Sequence, residues 1–327
     1  MKKILITGGL GYIGTKFLDS LYENLEILVF DTNYFTNKSL NNSSLLVVND
    51  IRNFKNDYLE GVDVVIHMSE LSNDPLGEFN PSLTNQVNHL STKELLDKCN
   101  ASSIKKFIYM SSASVYGFNE NILDEGSKTN PLTQYAKSKV DNEKYILDND
   151  FNFETVILRN STVFGFSNNL RLDLVVNDLT YNAVVNNEIE LISDGSPKRP
   201  FIHVQDLCNL INLIINTDQN LDKEIINTGA NSLNYSIKEI AEIVGELTGV
   251  EKLKIGKKDS DQRSYYLDFT KLNTLISEFE IQFDLRSGIN DLIKNLKTYD
   301  LSGNERRLQK LNKLIEAGKL DKNLRWI

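Results

Sequence analysis

Cysteine is nearly absent. Cys99 and Cys208 are the only two in 327 residues, far apart and in segments that read as helical. Neither a disulfide framework nor a zinc cluster is supported, and no metal is expected; two buried thiols in a reducing compartment fit the pattern. A basic excess is missing as well: 36 Lys and Arg stand against 45 Asp and Glu, a formal net charge of −9, with no long Lys/Arg run. That argues against nucleic acid as a partner. No apolar stretch approaches the ~20 residues needed to span a bilayer, so no membrane partner is expected. The opening MKKILITGG has a basic start and a short apolar run that breaks at Gly8, too short for a secretion signal and better read as a first strand. These absences predict a cytoplasmic protein. With 40% hydrophobic and 25% charged residues, the composition is that of an ordinary globular chain.

What is present is alternation. Short runs rich in β-branched and aromatic residues, at Lys3–Thr7, Glu26–Asp31, Leu45–Asn49, Asp63–Met68, Lys106–Ser111 and Glu154–Arg159, read as buried strands. Helical stretches fall between them, including Tyr12–Tyr22, Ser82–Cys99 and Gln134–Asp148. The pattern predicts an α/β fold, a Rossmann-like doubly wound parallel sheet over residues 1–165. A smaller C-terminal α/β lobe follows over 166–327, with segments returning to the first unit. In that lobe Asn168–Asn187 reads as a helix, and Ile189–Ile192 and Pro200–Val204 read as strands. Ser236–Gly249 reads as an amphipathic helix opened by a capping box, Ser236 with Glu239. Leu308, Leu311, Leu314 and Ile315 form one apolar helical face near the end of the sequence.

Two motifs carry chemistry. In ITGGLGYIG, Gly8, Gly11 and Gly14 recur every three residues between a strand and a helix. Such a turn lets a pyrophosphate approach without a Cβ in the way, and the first-turn backbone of the helix, with Tyr12 and Ile13, presents N–H groups to it. Asp31 lies 20 residues beyond Gly11 at the end of the second strand, where a carboxylate accepts both adenosine ribose hydroxyls and repels a 2′-phosphate. NAD is therefore expected over NADP. Asn49 and Asp50, with Ile51 after them, end the third strand where the adenine is reached.

The second motif pairs SSASVYG, residues 111–117, with YAKSK, residues 135–139. On a helix Tyr135 and Lys139 point the same way, about 6 Å apart along the axis. An ammonium so close favours the phenolate, which predicts a Tyr135 pKa drawn down towards neutrality and a role as general base. Ser112 or Ser114, ending the fifth strand, offers a second donor to orient a substrate hydroxyl. The three residue types suit removal of a proton from an alcohol while its carbon gives up hydride.

Taken in order, TGGLGYIG, Asp31, SSASVYG, YAKSK, RNSTVFG and RPFIHVQDL resemble the extended short-chain dehydrogenase/reductase family acting on nucleotide sugars. The resemblance implies NAD as cofactor, a nucleoside diphosphate sugar in the C-terminal lobe and a homodimer, with Ser112, Tyr135 and Lys139 as the catalytic set. It places Ser69, Ser114, Thr162, Asn177, Arg199 and Arg263 at the substrate, beside Ser72 and Asn73. Family dehydratases resemble TDEVYG here, and Ala113 and Ser114 replace that acid pair, which disfavours dehydration. The thiol of the 3,5-epimerase members is also absent at Ala113. What remains is redox chemistry at C4: a 4-epimerase, or alternatively a one-way 4-dehydrogenase or 4-ketoreductase. The stretches Arg171–Ala183 and Asp259–Leu272 are similar to a subgroup serving surface-polysaccharide pathways, which includes a GDP-heptose 4-dehydrogenase. A non-catalytic NAD-binding regulatory protein is disfavoured by the intact Tyr135 and Lys139.

Overall fold

The structure, a computed structural model, describes residues 2–20, 25–35, 44–256, 264–299 and 305–327. Its strands in chain order are β1 (Lys2–Thr7), β2 (Leu25–Asp31), β3 (Ser44–Val48), β4 (Val64–His67), β5 (Lys106–Ser112), β6 (Phe118–Leu123) and β7 (Glu154–Asn160). There follow β8 (Thr162–Phe164), β9 (Ile189–Leu191), β10 (Lys198–His203), β11 (Glu224–Thr228), β12 (Asn234–Ser236), β13 (Leu253–Ile255) and β14 (Ser264–Leu267).

Seven of these form one parallel sheet in the order β3-β2-β1-β4-β5-β7-β11. Because helices cover both faces, the inner strands are apolar at consecutive positions. Ile4, Ile6, Val29, Ile66, Ile108 and Val156 pack on one side. Leu5, Leu28, Phe30, Val65, Phe107, Tyr109 and Ile157 pack on the other. The strand order reverses between β1 and β4, and a parallel sheet opens a crevice outside the carboxyl ends of its strands at such a switch point. Everything described below gathers there.

The six strands expected from the sequence are all present, with ends shifted by a residue or so, and the helix Gln134–Asp148 is found over that span. The helix expected from Tyr12 runs Tyr12–Asp19. The stretch expected as one helix from Ser82 runs from Pro81 to Asn100 and widens into a π turn at Asn85–Leu90. The Ser236–Glu239 capping box opens the helix Ile237–Thr248. One expectation fails: helix begins only at Val175, and residues 168–174 form turns. In Leu-Arg-Leu-Asp-Leu (170–174) apolar and charged residues alternate, a period that suits no helix, and Leu170 and Leu172 are buried while Arg171 pairs with Asp173.

The second half supplies a small lobe. Its sheet has the order β12-β10-β8, and the helices Val175–Asn186, Ile237–Thr248 and Leu285–Leu296 pack around Val176, Leu179, Ile240, Val244 and Ile289. Two segments unrecognised in the sequence return to the large sheet. The strand β11 extends its edge, and the helix Val204–Asn216 buries Leu207, Leu210, Ile211 and Ile214 in the same cluster as Ile4 and Phe17. Cys99 and Cys208 are buried and unpaired, with burial pushing both thiols up.

A buried ion pair locks β5, β7 and the helix Gln134–Asp148 together. Arg159 on β7 donates through Nη2 to Glu143 Oε2 on the helix Gln134–Asp148 at 2.7 Å, and Ser111 Oγ on β5 donates to Glu143 Oε1 at 2.5 Å. Both charged side chains are almost fully enclosed. Removing one partner strands the other charge, so Glu143→Ala is expected to cost about 3–5 kcal/mol in urea unfolding. A loss below about 1 kcal/mol, the scale of an exposed pair, would contradict this account.

Candidate active site

The glycine turn is forced by close packing. Gly8 adopts φ +71°, and a Cβ there would lie 2.7 Å from the Met68 carbonyl and the Ser69 nitrogen on the loop after β4. A Cβ on Gly14 would lie 2.4 Å from the Gly9 oxygen. Gly11 caps the helix Tyr12–Asp19 with no side-chain hydrogen bond, so the first-turn N–H groups of Tyr12, Ile13 and Gly14 face the crevice without a side-chain acceptor. The Tyr12 side chain itself turns away, donating from its hydroxyl to the Gly165 carbonyl at 2.7 Å. Its burial pushes the phenol pKa up.

Asp31 accepts from the Leu10 nitrogen at 3.0 Å and the Asn33 nitrogen at 2.7 Å. It lines the crevice with Gly8, Gly11, Asp50, Ile51, Ser69, Glu70 and Ser72. Burial raises its pKa, opposed by those two donors and by the charge of Arg307. Asp50 caps the turn Ile51–Asn53 and pairs with Arg52, while Ile51 is buried beneath. A turn without Cβ atoms, uncapped helix N–H groups and a strand-end carboxylate together fit a dinucleotide.

Across the crevice, Ser112 ends β5 and accepts from the Ser114 nitrogen at 3.2 Å. It lies close enough to the Tyr135 hydroxyl to favour the phenolate. The Tyr135 backbone is held by a close approach: a Cβ on Gly77 would lie 2.8 Å from the Tyr135 Cβ. The Lys139 Nζ lies 5.4 Å from the Tyr135 ring centroid, donates to the Met110 carbonyl, and meets Glu70 Oε2 at 2.6 Å. Glu70 was not anticipated from the sequence, and it corrects one expectation. Burial raises the Tyr135 pKa; Lys139 and Ser112 oppose that, and the Glu70 and Asp74 carboxylates reinforce it. The lysine alone does not draw the tyrosine to neutrality, because its charge is answered by Glu70. Glu70 also accepts from the Tyr109 hydroxyl at 2.9 Å.

The substrate-side residues divide. Ser69 lines the crevice, and Ser114 Oγ is buried without a hydrogen-bond partner in the turn after β5. Thr162 on β8 registers against Phe201, two residues from Arg199 on β10. Arg199 is buried, its guanidinium 5.4 Å from the Tyr265 ring centroid. Arg263 lies outside the described residues. Asn177 is fully buried and spends its amide within the chain: Oδ1 accepts from the Gly165 nitrogen at 2.9 Å and Nδ2 donates to the Arg171 carbonyl at 3.1 Å. This corrects the expected contact with a sugar diphosphate; the side chain orders the loop that carries Arg171. Arg171 and Asp173 pair at 2.7 Å, and although burial works against it, Arg171 holds the Asp173 carboxyl at about 2. Asn88 was also missed: buried in the π turn, it accepts from the Leu71 nitrogen on the loop after β4 at 2.8 Å. His203 is structural, stacked 3.9 Å from Phe283, with burial lowering its pKa to about 3.

This crevice defines a class, the nucleotide-sugar enzymes of the extended short-chain dehydrogenase/reductase type that work through NAD. The chain belongs to the NAD dependent epimerase/dehydratase family, whose model matches residues 4–229. It is 31% identical over 308 residues to a putative UDP-glucose 4-epimerase of Methanocaldococcus jannaschii, covering 90% of this chain and 98% of that protein. It is 32% identical over 265 residues to an ADP-L-glycero-D-manno-heptose-6-epimerase of Brachyspira hyodysenteriae, covering 75% and 80%. Among solved structures, a UDP-N-acetylglucosamine 4-epimerase of Methanobrevibacter ruminantium superposes with a TM-score of 0.79 at 25% identity, covering 90% and 99%. A UDP-glucuronic acid 4-epimerase of Bacillus cereus, solved with UDP-glucuronic acid and NAD, shares the fold with a TM-score of 0.81 at 24% identity over 90% and 99%.

The ion pair sets a pH dependence. A base at Tyr135 acts only once deprotonated, and burial and Glu70 keep its pKa high, so the expectation of Tyr135 as base predicts activity that rises with pH on the alkaline side of neutrality. In Glu70→Gln the Lys139 charge is no longer answered, the phenolate gains, and the rising limb of kcat/KM moves to lower pH. A limb that stays in place or moves to higher pH contradicts this assignment.

Proposed function

We propose that the protein is a nucleotide-sugar 4-epimerase in which Ser112, Tyr135 and Lys139 are the catalytic residues. The observation that carries this reading is the meeting of Tyr135, Lys139 and Ser112 at the carboxyl end of β5, with no acid at positions 113 and 114. NAD, when bound, supplies a hydride acceptor and returns the hydride. Tyr135 Oη takes the proton of the sugar 4-hydroxyl and later gives it back. Ser112 Oγ donates to the same oxygen and holds it as it becomes a carbonyl. Lys139 orients the phenol ring and offsets charge developing on it.

Gly8, Gly11, Tyr12, Ile13, Gly14, Asp31, Asp50 and Ile51, together with Tyr135 and Lys139, bind the cofactor in this reading. Ser69, Ser114, Thr162, Arg199 and Arg263 bind the nucleoside diphosphate sugar, the arginines through paired donors to phosphate oxygens. The names of the relatives support the reading, since several act at C4 of a UDP-sugar. The reading also takes the enzyme as a cytoplasmic homodimer serving polysaccharide biosynthesis. Its support there is the family resemblance, together with the absence, among the described residues, of a helix long and apolar enough to cross a membrane.

The test is the product formed from a panel of UDP-, GDP-, CDP- and dTDP-sugars with NAD. Unchanged mass with inverted configuration at C4 is the expected result. Loss of two hydrogens would instead establish the one-way dehydrogenase, and loss of water would defeat the argument from Ala113 and Ser114. With a substrate in hand, Tyr135→Phe is expected to lower kcat by about 10²–10⁴-fold. Undiminished turnover would remove Tyr135 from the mechanism.

A further inference from the structure

The family match ends at residue 229, yet the last segment of the chain reaches the cofactor crevice. The helix Arg307–Glu316 buries Leu311, and Leu320 and Leu324 follow it into a cluster with Tyr34, Leu71, Leu76 and Leu83. Polar ties reinforce that seat. Trp326 Nε1 donates to the Thr32 carbonyl at 2.8 Å, Arg52 Nη2 to the Asn323 carbonyl at 2.8 Å, and Lys310 Nζ to the Phe35 carbonyl at 2.8 Å. All three join the segment to chain that follows β2 or β3, the two strands that end at the adenosine side of the crevice.

At the start of this helix is Arg307. Its guanidinium lies 4.7 Å from the Phe35 ring centroid, donates from Nη1 to Ser72 Oγ at 2.8 Å, and brings Nη2 to 3.7 Å from the Cβ position of Gly11. Among the described residues its only hydrogen-bond partner is that hydroxyl, and no carboxylate lies within ion-pair distance. Its neighbours differ: Arg306 is answered by Asp178 at 2.9 Å and Arg171 by Asp173 at 2.7 Å. A cation without an ion-pair contact, with Asp31 and Asp173 acting on it only from further off, packed against a glycine turn whose helix N–H groups lack a side-chain cap, faces a place suited to an anion.

We propose that Arg307 binds the diphosphate of the dinucleotide, and that residues 307–327 hold it across the cofactor as the closing wall of the site. The assignment rests on NAD occupying the glycine turn, not on which sugar reaction follows. Burial, with Arg171 nearby, pulls the Arg307 guanidinium down to about 9, which leaves it charged at neutral pH and favours an anionic ligand at its fork.

The test is calorimetric binding of NAD, ADP-ribose and adenosine to the full chain freed of nucleotide, in wild type, Arg307→Gln and Arg307→Lys. Arg307→Gln is expected to weaken NAD and ADP-ribose by about 10- to 100-fold and to leave adenosine unchanged. Arg307→Lys, which keeps the charge and loses the fork, is expected to recover part of the loss. Ser72→Ala, which frees the guanidinium without removing it, should give a smaller loss confined to the same two ligands. Equal weakening of adenosine, or unchanged NAD affinity, overturns the proposal. So does a loss confined to UDP or GDP offered to the NAD-saturated protein, which would assign Arg307 to the substrate diphosphate. Failure of the C4 reaction would leave these affinities as measured, so the two readings fail separately.

Discussion

The placement of Ser112, Tyr135 and Lys139, the residues proposed for catalysis, depends on one buried ion pair. Ser112 comes from β5, and Tyr135 and Lys139 come from the helix Gln134–Asp148; Glu143, two turns along that helix, fixes one element against the other through Arg159 and Ser111. Side chains alternate along a strand, so Ser111 and Ser112 leave β5 on opposite faces, and Ser111 is the one that meets the ion pair. The register of β5 against β7, Ser111 opposite Arg159 and Ser112 opposite Asn160, carries the same constraint into the sheet. An enclosed pair of this kind adds little net stability over an apolar replacement, since both charges lose water. Its worth lies in the penalty on every arrangement that would leave Arg159 or Glu143 alone.

Electrostatics at the reacting end follow the same logic. Lys139 is enclosed with Glu70, and the two charges compensate at 2.6 Å, so the lysine meets Tyr135 as half of a neutral pair. Burial then dominates the phenol. A tyrosine kept protonated until the site is filled suits a reaction that must hold a carbonyl intermediate away from water, because a standing phenolate in an open crevice would draw solvent. The neutral pair also leaves Arg171 and Arg307 as the cations of the opposite wall, with Asp173 and Asp31 placed among them.

Much of this was legible in the sequence. The glycines at 8, 11 and 14 required a tight turn, and the space around Gly8 and Gly14 shows why. The spacing of Tyr135 and Lys139 fixed their common face, and the helix spans the residues its periodicity indicated. Glu70 was not legible, because in His-Met-Ser-Glu-Leu-Ser it reads as a loop acid; only the approach of a distant helix encloses it. Arg171 and Asp173 did leave a trace in the alternation of Leu170, Leu172 and Leu174, which a helical reading overrides. For Asn177, motif position pointed to a ligand, whereas its burial shows an amide spent on Gly165 and Arg171. Sequence spacing reports a shared face well, and says little about which buried groups neutralise one another.

The last segment shows the same limit from the other side. Leu308, Leu311, Leu314 and Ile315 announced an apolar helix face, but no spacing could say what lies beneath it. Its position joins the chain after β2 to the lobe. Leu320 and Leu324 press on the side of Tyr34, and Arg306 reaches Asp178 on the lobe helix Val175–Asn186. On the proposed reading of Arg307, release of the dinucleotide past this wall is coupled to Leu311, Leu320 and Leu324 leaving their apolar seat. Exposure of that seat costs free energy, whereas Thr162 and Arg199, the residues proposed at the substrate, are not part of that cluster. The same reading separates retention of the cofactor from exchange of the substrate, the division that a reaction returning its own hydride requires.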